Sequence, residues 1–270
     1  MVVNIIDHAF AHCIYSNNPL PPIQMSKYIE WNRQGFEDNS TIIATDNDTN
    51  SSLFLSHNGK KIAWLLECIK INNYAYEYIL NNHNLYDFIF THDKEYLQLI
   101  PNSKWVPFGG CWIYDTNWNL YEKENKISIV VSSKNYLTGH RLRHQVISNF
   151  ANIDVYGNGY NPIDNKISSL IQYKYQIVIE NEKIAGYFTE KLIDCFVTGT
   201  IPIYWGDPLI SEVFDIDGII QFNTIEELRL ILDNIDEIKI DKKNIENNFN
   251  KAKDYILAED YIYKNYKELL

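Results

Sequence analysis

The sequence is poor in the features that mark secreted, membrane-spanning and nucleic-acid-binding chains. Its 270 residues include four cysteines, Cys13, Cys68, Cys111 and Cys195. They are widely spaced and form no C-x-x-C pair, so neither a zinc site nor a disulfide framework is expected, and they read as free thiols in a reducing cytoplasm. No stretch reaches the roughly eighteen consecutive apolar residues of a membrane span. The opening MVVNIIDHAFAH has no basic segment before its short apolar run and no small-residue cleavage site after it. It reads as a first strand, not a signal peptide. Positive charge is scarce too: 24 Lys and Arg stand against 35 acids, for a net charge of −11. That balance excludes the basic footprint that duplex DNA or an anionic membrane requires. An anionic small ligand needs only a few clustered cations and stays open. Arginine is scarcer still, at Arg33, Arg141, Arg143 and Arg229.

What the chain has in quantity is apolar and aromatic material, 46% and 14% of residues with 20 Tyr, enough for a globular protein with one large or two modest cores. From residue 126 onward, short β-branched runs alternate with segments of helical spacing, the pattern of βα units on a parallel sheet. Strands are expected at Ile127–Ser132, Ile153–Tyr156, Tyr175–Ile179, Ile201–Trp205 and Gly218–Phe222. Helices fit Gly139–Phe150, Asp164–Tyr173, Tyr187–Val197, Pro208–Val213 and Thr224–Ile235. The first 125 residues repeat the rhythm less cleanly, with strands at Val2–Ile6, Thr41–Ala44, Ile62–Leu66 and Phe88–Thr91 and a helix at Asn73–Asn82. The charged run YEKENK near residue 125 is the candidate linker. The expected domains are 1–125 and 126–255, with 256–270 a C-terminal helix packing on the body. N-x-[ST] matches at Asn39, Asn47 and Asn50 are the chance yield of an Asn-rich chain.

Chemistry concentrates in YKYQIVIENEKIAGYFTEKLIDCFVTGTIPIYWGDP, residues 173–208. A buried strand delivers Glu180 and Asn181 at its carboxyl end, where open α/β sheets bind ligands. A loop with Gly186 then opens a helix whose Phe188, Leu192, Ile193, Phe196 and Val197 must face the sheet. Tyr187, Glu190, Lys191 and Asp194 fall on the other stripe. The free N–H groups of such a helix start favour an anion, with Lys191 near enough to reach it. Gly199 ends the helix. Two of the four arginines fall in GHRLRHQVISNF, and in a chain that otherwise uses Lys, this pairing suits bidentate phosphate binding. The competing reading of both is an ordinary solvated helix face.

The run E-N-x-x-x-x-G-Y-x-T-E-K-x-x-D followed by G-T-I-P-I-Y-W-G-x-P resembles the donor-binding signature of the α1,3-fucosyltransferase family, ungapped over roughly 30 residues. Weaker resemblance reaches back to about residue 127. It implies an α/β, GT-B-like fold of two facing Rossmann-like domains with parallel sheets, and an inverting transfer of fucose from GDP-fucose to a hydroxyl of a glycan acceptor in α1,3-type linkage. By the same resemblance Glu190 holds the donor ribose and Lys191 lies near the phosphates. Asn181 and Tyr187 help enclose the nucleotide sugar. An arginine clamp on the diphosphate is Arg143, with Arg141 the alternative, because Val146, Ile147 and Phe150 then fall where the family has apolar positions. Glu67, ending the strand KIAWLLE, stands where the family's catalytic glutamate sits. Its competing reading is a strand-end carboxylate capping the next segment.

No obligatory cofactor or metal is expected, since Arg143 and Lys191 supply the positive charge that a metal provides elsewhere. Asp46-Asn47-Asp48 imitates a metal-binding D-x-D but reads as a solvated turn. Gly157-Asn158-Gly159 reads as a tight turn beside the nucleotide. His92-Asp93 either touches acceptor or caps a helix, and Trp112 and Trp118 either stack on sugars or fill core. A transferase using another nucleotide sugar and a non-catalytic carbohydrate- or nucleotide-binding module are the rival readings. The absent anchor points to a cytoplasmic bacterial, phage or viral setting, and nothing in the sequence sets an oligomeric state. The tail AEDYIYKNYKELL has two Lys against three acids and does not suit an anionic membrane. Residues 134–191 carry seven basic and five acidic side chains, so the overall −11 conceals a local +2 that would focus a diphosphate onto one place.

Overall fold

The computed structural model describes residues 1–8, 15, 23–37 and 39–270; Cys13 lies outside them. The chain divides into two compact units. The first comprises Met1–Gly110, Ile184–Tyr187 and Tyr255–Leu270, the second Cys111–Lys183 and Phe188–Asp254.

The first unit runs β1 (Val2–Ile6), β2 (Glu30–Asn32), β3 (Ile42–Thr45), α1 (Ser52–Leu55), β4 (Lys61–Leu65), α2 (Asn73–Asn82), β5 (Phe88–Thr91), α3 (Lys94–Leu99) and β6 (Ser103–Trp105). These strands form a parallel sheet of order β2-β1-β3-β4-β5-β6. A parallel sheet is covered on both faces, so its strands must be apolar on both. Ile43, Ile62, Trp64 and Phe90 serve one cluster, and Ile42, Ala44, Ala63, Leu65 and Ile89 serve the other with Phe54, Tyr76 and Ile79.

The second unit runs β7 (Glu124–Val130), α4 (Thr138–Asn149), β8 (Asp154–Tyr156), β9 (Tyr173–Ile179), α5 (Glu190–Phe196), β10 (Ile201–Trp205), β11 (Ile220–Gln221), α6 (Ile225–Asp233) and α7 (Lys242–Ala252). Its parallel sheet has the order β11-β10-β9-β7-β8. The last helix, α8 (Ala258–Tyr266), returns to the first unit, where Ala258 and Ile262 join the cluster around Trp31 and Trp64. Both sheets change direction once, between β1 and β3 and between β7 and β9. At such a switch point the flanking connections leave to opposite faces, and a crevice opens outside the carboxyl ends of the strands. Among the described residues no helix is long and apolar enough to cross a membrane.

Several expected elements differ. The Asp164–Tyr173 helix is a single 3₁₀ turn at Lys166–Ser169, because β9 already begins at Tyr173. Pro208–Val213 likewise reduces to the turn Ile210–Glu212. Of the expected linker, Glu124–Lys126 is strand, opening β7 with Glu124 paired to Tyr173. The helix expected from Tyr187 starts at Glu190, with Thr189 as its N-cap. Strands β2 and β6 and helices α1, α3 and α7 went unread, the strands and the first two helices for being short and α7 for its Asn- and Lys-rich sequence KKNIENNFNKA.

Two glycines set the approach of elements. Gly199, at φ 69°, turns the chain out of α5 in a conformation that disfavours a Cβ. Gly139, in the first turn of α4, donates its N–H to the carbonyl of Asn181 at 2.9 Å. A Cβ there would stand 1.7 Å from the carbonyl oxygen of Glu180. Gly139→Ala is therefore expected to push α4 off the end of β9 and destabilise the second unit by about 1–3 kcal/mol, the usual range for overpacking, measured by urea unfolding.

Candidate active site

The switch point of the second unit gathers basic side chains at the carboxyl end of β9. Helix α4 presents Arg143, 6% exposed, whose Nε donates to the carbonyl of Ile179 at 3.0 Å. Its Nη2 donates to the same carbonyl and to Asn181 Oδ1, the latter at 3.1 Å. The fork geometry of guanidinium suits this double grip. Arg141 is exposed and turns to the carbonyl of Tyr136 at 2.9 Å. His140, in the first turn of α4, reports the local potential. Burial and the positive charges of Arg143, Lys134 and Lys191 lower its pKa to about 4, so the ring is neutral at neutral pH.

Glu180 follows β9 and is fully buried. Its carboxylate accepts the N–H of Thr189 at 2.8 Å and the Thr189 hydroxyl at 2.7 Å. Lys191 Nζ lies 3.4 Å from Glu180 and 3.2 Å from Glu190, and donates to the Thr189 hydroxyl at 2.9 Å. Burial alone would raise the Glu190 carboxyl, but Lys191 and Lys166 outweigh it and hold it below the usual carboxylate range, ready to accept hydroxyl hydrogen bonds. Two carboxylates thus stand at the start of α5, with the ammonium of Lys191 between them.

Asp194 departs from the sequence reading. Placed there on the polar stripe with Glu190, it is fully buried, and paired with Lys166 Nζ at 2.6 Å. It also accepts the N–H of Trp112 at 2.7 Å. Lys166, which sequence reasoning missed, lies 5.4 Å from the Trp112 ring. Asp194 and Glu190 hold its ammonium above the usual lysine range against the opposing effect of burial. Tyr187 also lies elsewhere: it is buried in the first unit, its ring 4.9 Å from His92 and 5.7 Å from Phe108.

In the first unit Glu67 is half-buried, just beyond the end of β4. The Tyr76 hydroxyl donates to its carbonyl at 2.9 Å and lies 3.3 Å from Nε2 of His92. Burial lowers His92 to about 4, so the ring is neutral. Asp93 is the N-cap of α3, accepting the N–H of Glu95 and Tyr96. Asp46 is not in a solvated turn: it is 1% exposed, and its carboxylate binds the backbone beside Glu67. Gly157 closes a tight turn after β8, its N–H on the carbonyl of Asn161. Among the described residues no group of three or more His, Cys, Asp or Glu is arranged to hold a metal ion. A cavity of about 610 Å³ opens elsewhere in the second unit, beside Lys123, Lys174, Ile201 and Ile240 at the amino ends of the strands, and does not involve these residues.

Two parallel-sheet α/β units, one carrying an arginine, a lysine and an ionised acid at its switch point, define a fold of the GT-B class. Solved structures share this fold. An α1,3-fucosyltransferase superposes with a TM-score of 0.59 at 16% identity, covering 100% of this chain and 89% of that one. An α1,3-fucosyltransferase with GDP gives 0.56 at 17% identity, over 99% and 90%. At these identities the likeness establishes the fold. In sequence, residues 120–268 match Glycosyltransferase family 10 (fucosyltransferase) C-term, more than half of the chain, and the chain belongs to that family. It is 47% identical over 57 residues to an α-(1,3)-fucosyltransferase of Helicobacter pylori, 21% of this chain and 12% of that protein. An α-(1,3)-fucosyltransferase B of Drosophila melanogaster is 35% identical over 74 residues, 27% and 16% of the two chains. The alignments thus span a small part of either relative's own length.

Arg143→Lys tests the guanidinium fork. An ammonium cannot hold the Ile179 carbonyl and Asn181 Oδ1 together, so Arg143→Lys should destabilise the second unit by about 1–3 kcal/mol in urea unfolding, whereas Arg141→Lys, at an exposed position, should move stability little.

Proposed function

We propose that the chain transfers fucose from GDP-fucose to a hydroxyl of a glycan acceptor, with inversion and in α1,3-type linkage. The observation that carries this reading is the cation cluster at the β7/β9 switch point, which lies inside the stretch shared with family 10. The GDP complex of an α1,3-fucosyltransferase of the same fold supports the nucleotide.

In this reading Arg143 and Lys191 stabilise the charge that grows on the departing GDP. Glu190, kept ionised by Lys191 and Lys166, accepts hydrogen bonds from the ribose hydroxyls, and Asn181 borders the nucleotide sugar. By the family resemblance Tyr187 helps enclose the nucleotide sugar. Glu67 takes the proton of the acceptor hydroxyl as that oxygen attacks the anomeric carbon on the face opposite the leaving diphosphate. The sugar passes through an oxocarbenium-like state comparable to that of glycosidases. The sugar–phosphate bond breaks, the glycosidic bond forms, and the proton ends on Glu67.

Calorimetry decides the donor: GDP-fucose should bind, and tight binding of GDP-mannose or a UDP-sugar in its place would overturn the assignment. A product-linkage analysis on acceptors ending in Gal, GlcNAc or Glc decides the acceptor. For the base, Glu67→Ala should lower turnover by about 10²–10⁴-fold with GDP affinity barely changed; persisting turnover would place the base elsewhere.

A further inference from the structure

The end of β3 is bent onto the end of β4 in a way that the sheet does not require. The last residues paired between these strands are Thr45 and Trp64. Asp46 then takes a left-handed conformation, φ 45°, which a non-glycine residue adopts only where its surroundings compensate. Its backbone leaves the ladder, and its side chain takes over. Oδ1 accepts the N–H of Leu66 at 2.9 Å and of Glu67 at 3.2 Å, and Oδ2 lies 3.4 Å from the Glu67 nitrogen. On the other side the Tyr76 hydroxyl holds the Glu67 carbonyl at 2.9 Å. Both peptide groups of Glu67 are therefore fixed by buried side chains, one from the end of β3 and one from α2.

We infer that Asp46 is the positioning residue of the base, holding through its carboxyl the peptide from which Glu67 projects and acting on Glu67 through its own charge. The inference rests on Glu67 as the base. The titratable groups facing Asp46 are Glu67 and the Tyr76 hydroxyl, with Cys68 and neutral His92 packed around Tyr76. Among the described residues no cation pairs with its carboxylate. Burial, and after it the charge of Glu67, raises Asp46 to about 8. At neutral pH Asp46 is a neutral acid whose carbonyl oxygen still accepts the two N–H groups. Above that range it becomes a second anion beside Glu67. A negative neighbour favours proton uptake by Glu67, the event that attack by the acceptor requires, so kcat/KM should rise as pH passes through about 8. Stability moves oppositely. The folded chain keeps a proton that the unfolded chain releases near 3.8, so stability falls as pH rises from 3.8 to about 8.

The test uses the intact chain and the variants Asp46→Ala, Asp46→Asn and Glu67→Gln. Asp46→Ala, which removes the acceptor of both N–H groups, should lower kcat about a hundredfold with the KM for GDP-fucose little changed. Asp46→Asn keeps an acceptor oxygen, and Asn tolerates left-handed backbone. It should recover most of that loss, yet lack both the rise of kcat/KM near pH 8 and the decline of unfolding temperature with pH. Wild-type kcat in Asp46→Ala, or an unaltered pH profile in Asp46→Asn, would overturn the inference. If Asp46→Ala fails to fold, Asp46→Asn alone decides by its two pH profiles. Full turnover by Glu67→Gln would overturn the base itself, whereas an inactive Glu67→Gln beside a wild-type-like Asp46→Ala would overturn only the role of Asp46.

Discussion

A carboxylate with no exposed surface has to find its partners inside the protein, and Glu180 finds all of them in one place. The N–H and hydroxyl of Thr189 and the ammonium of Lys191 converge on it. Removing any one would leave charge uncompensated in a medium that solvates it poorly. Because Thr189 is tied to the end of β9, α5 has to begin at Glu190. Because Lys191 is drawn inward, it stands between two carboxylates, and Glu190 is kept ionised. The loop from Asn181 to Phe188 leaves the end of β9 and is brought back to it by Thr189. The arrangement on which nucleotide binding would depend is in this sense set by the end of one strand.

The two units handle charge in opposite ways. In the second, cations crowd together, and a histidine among them gives up its proton. In the first, carboxylates approach each other, and Asp46 keeps its proton. Each crowding is unfavourable by itself, and the fold bears both because backbone groups and neighbouring side chains supply the hydrogen bonds. Perturbed titration of this kind gathers where chemistry is done, and both places lie at the carboxyl ends of parallel strands.

Much of this was legible in the sequence. Val2–Ile6, Asn73–Asn82 and Ile201–Trp205 coincide with their elements to the residue, since β-branched, mostly apolar runs and clear spacing leave few alternatives. The family signature, too, is local, and it picked out Glu190 and Lys191, which the fold brings together with Arg143 and Asn181. What escaped was tertiary. The 3.6-residue period put Asp194 on a polar stripe because no spacing can reveal that Lys166, 28 positions earlier, is buried against it. Tyr187 was read as helical because the stretch from Tyr187 to Val197 has suitable spacing; the tie from Thr189 to Glu180 decides otherwise. Asp46 sat in TDNDTNSS, a run that reads as a turn, and only the pairing of β3 with β4 shows that the turn is inward.

The return of the last segment to the first unit bears on how the protein is made. Leu257, Ala258 and Ile262 sit in the same cluster as Val3, Trp31 and Trp64, and Glu259 accepts the indole N–H of Trp31. A chain emerging from the ribosome completes the second unit, through Asp254, before the piece that closes the first has been synthesised. The strands made earliest must therefore wait with one face of their sheet incompletely covered, and the order of folding runs against the order of synthesis.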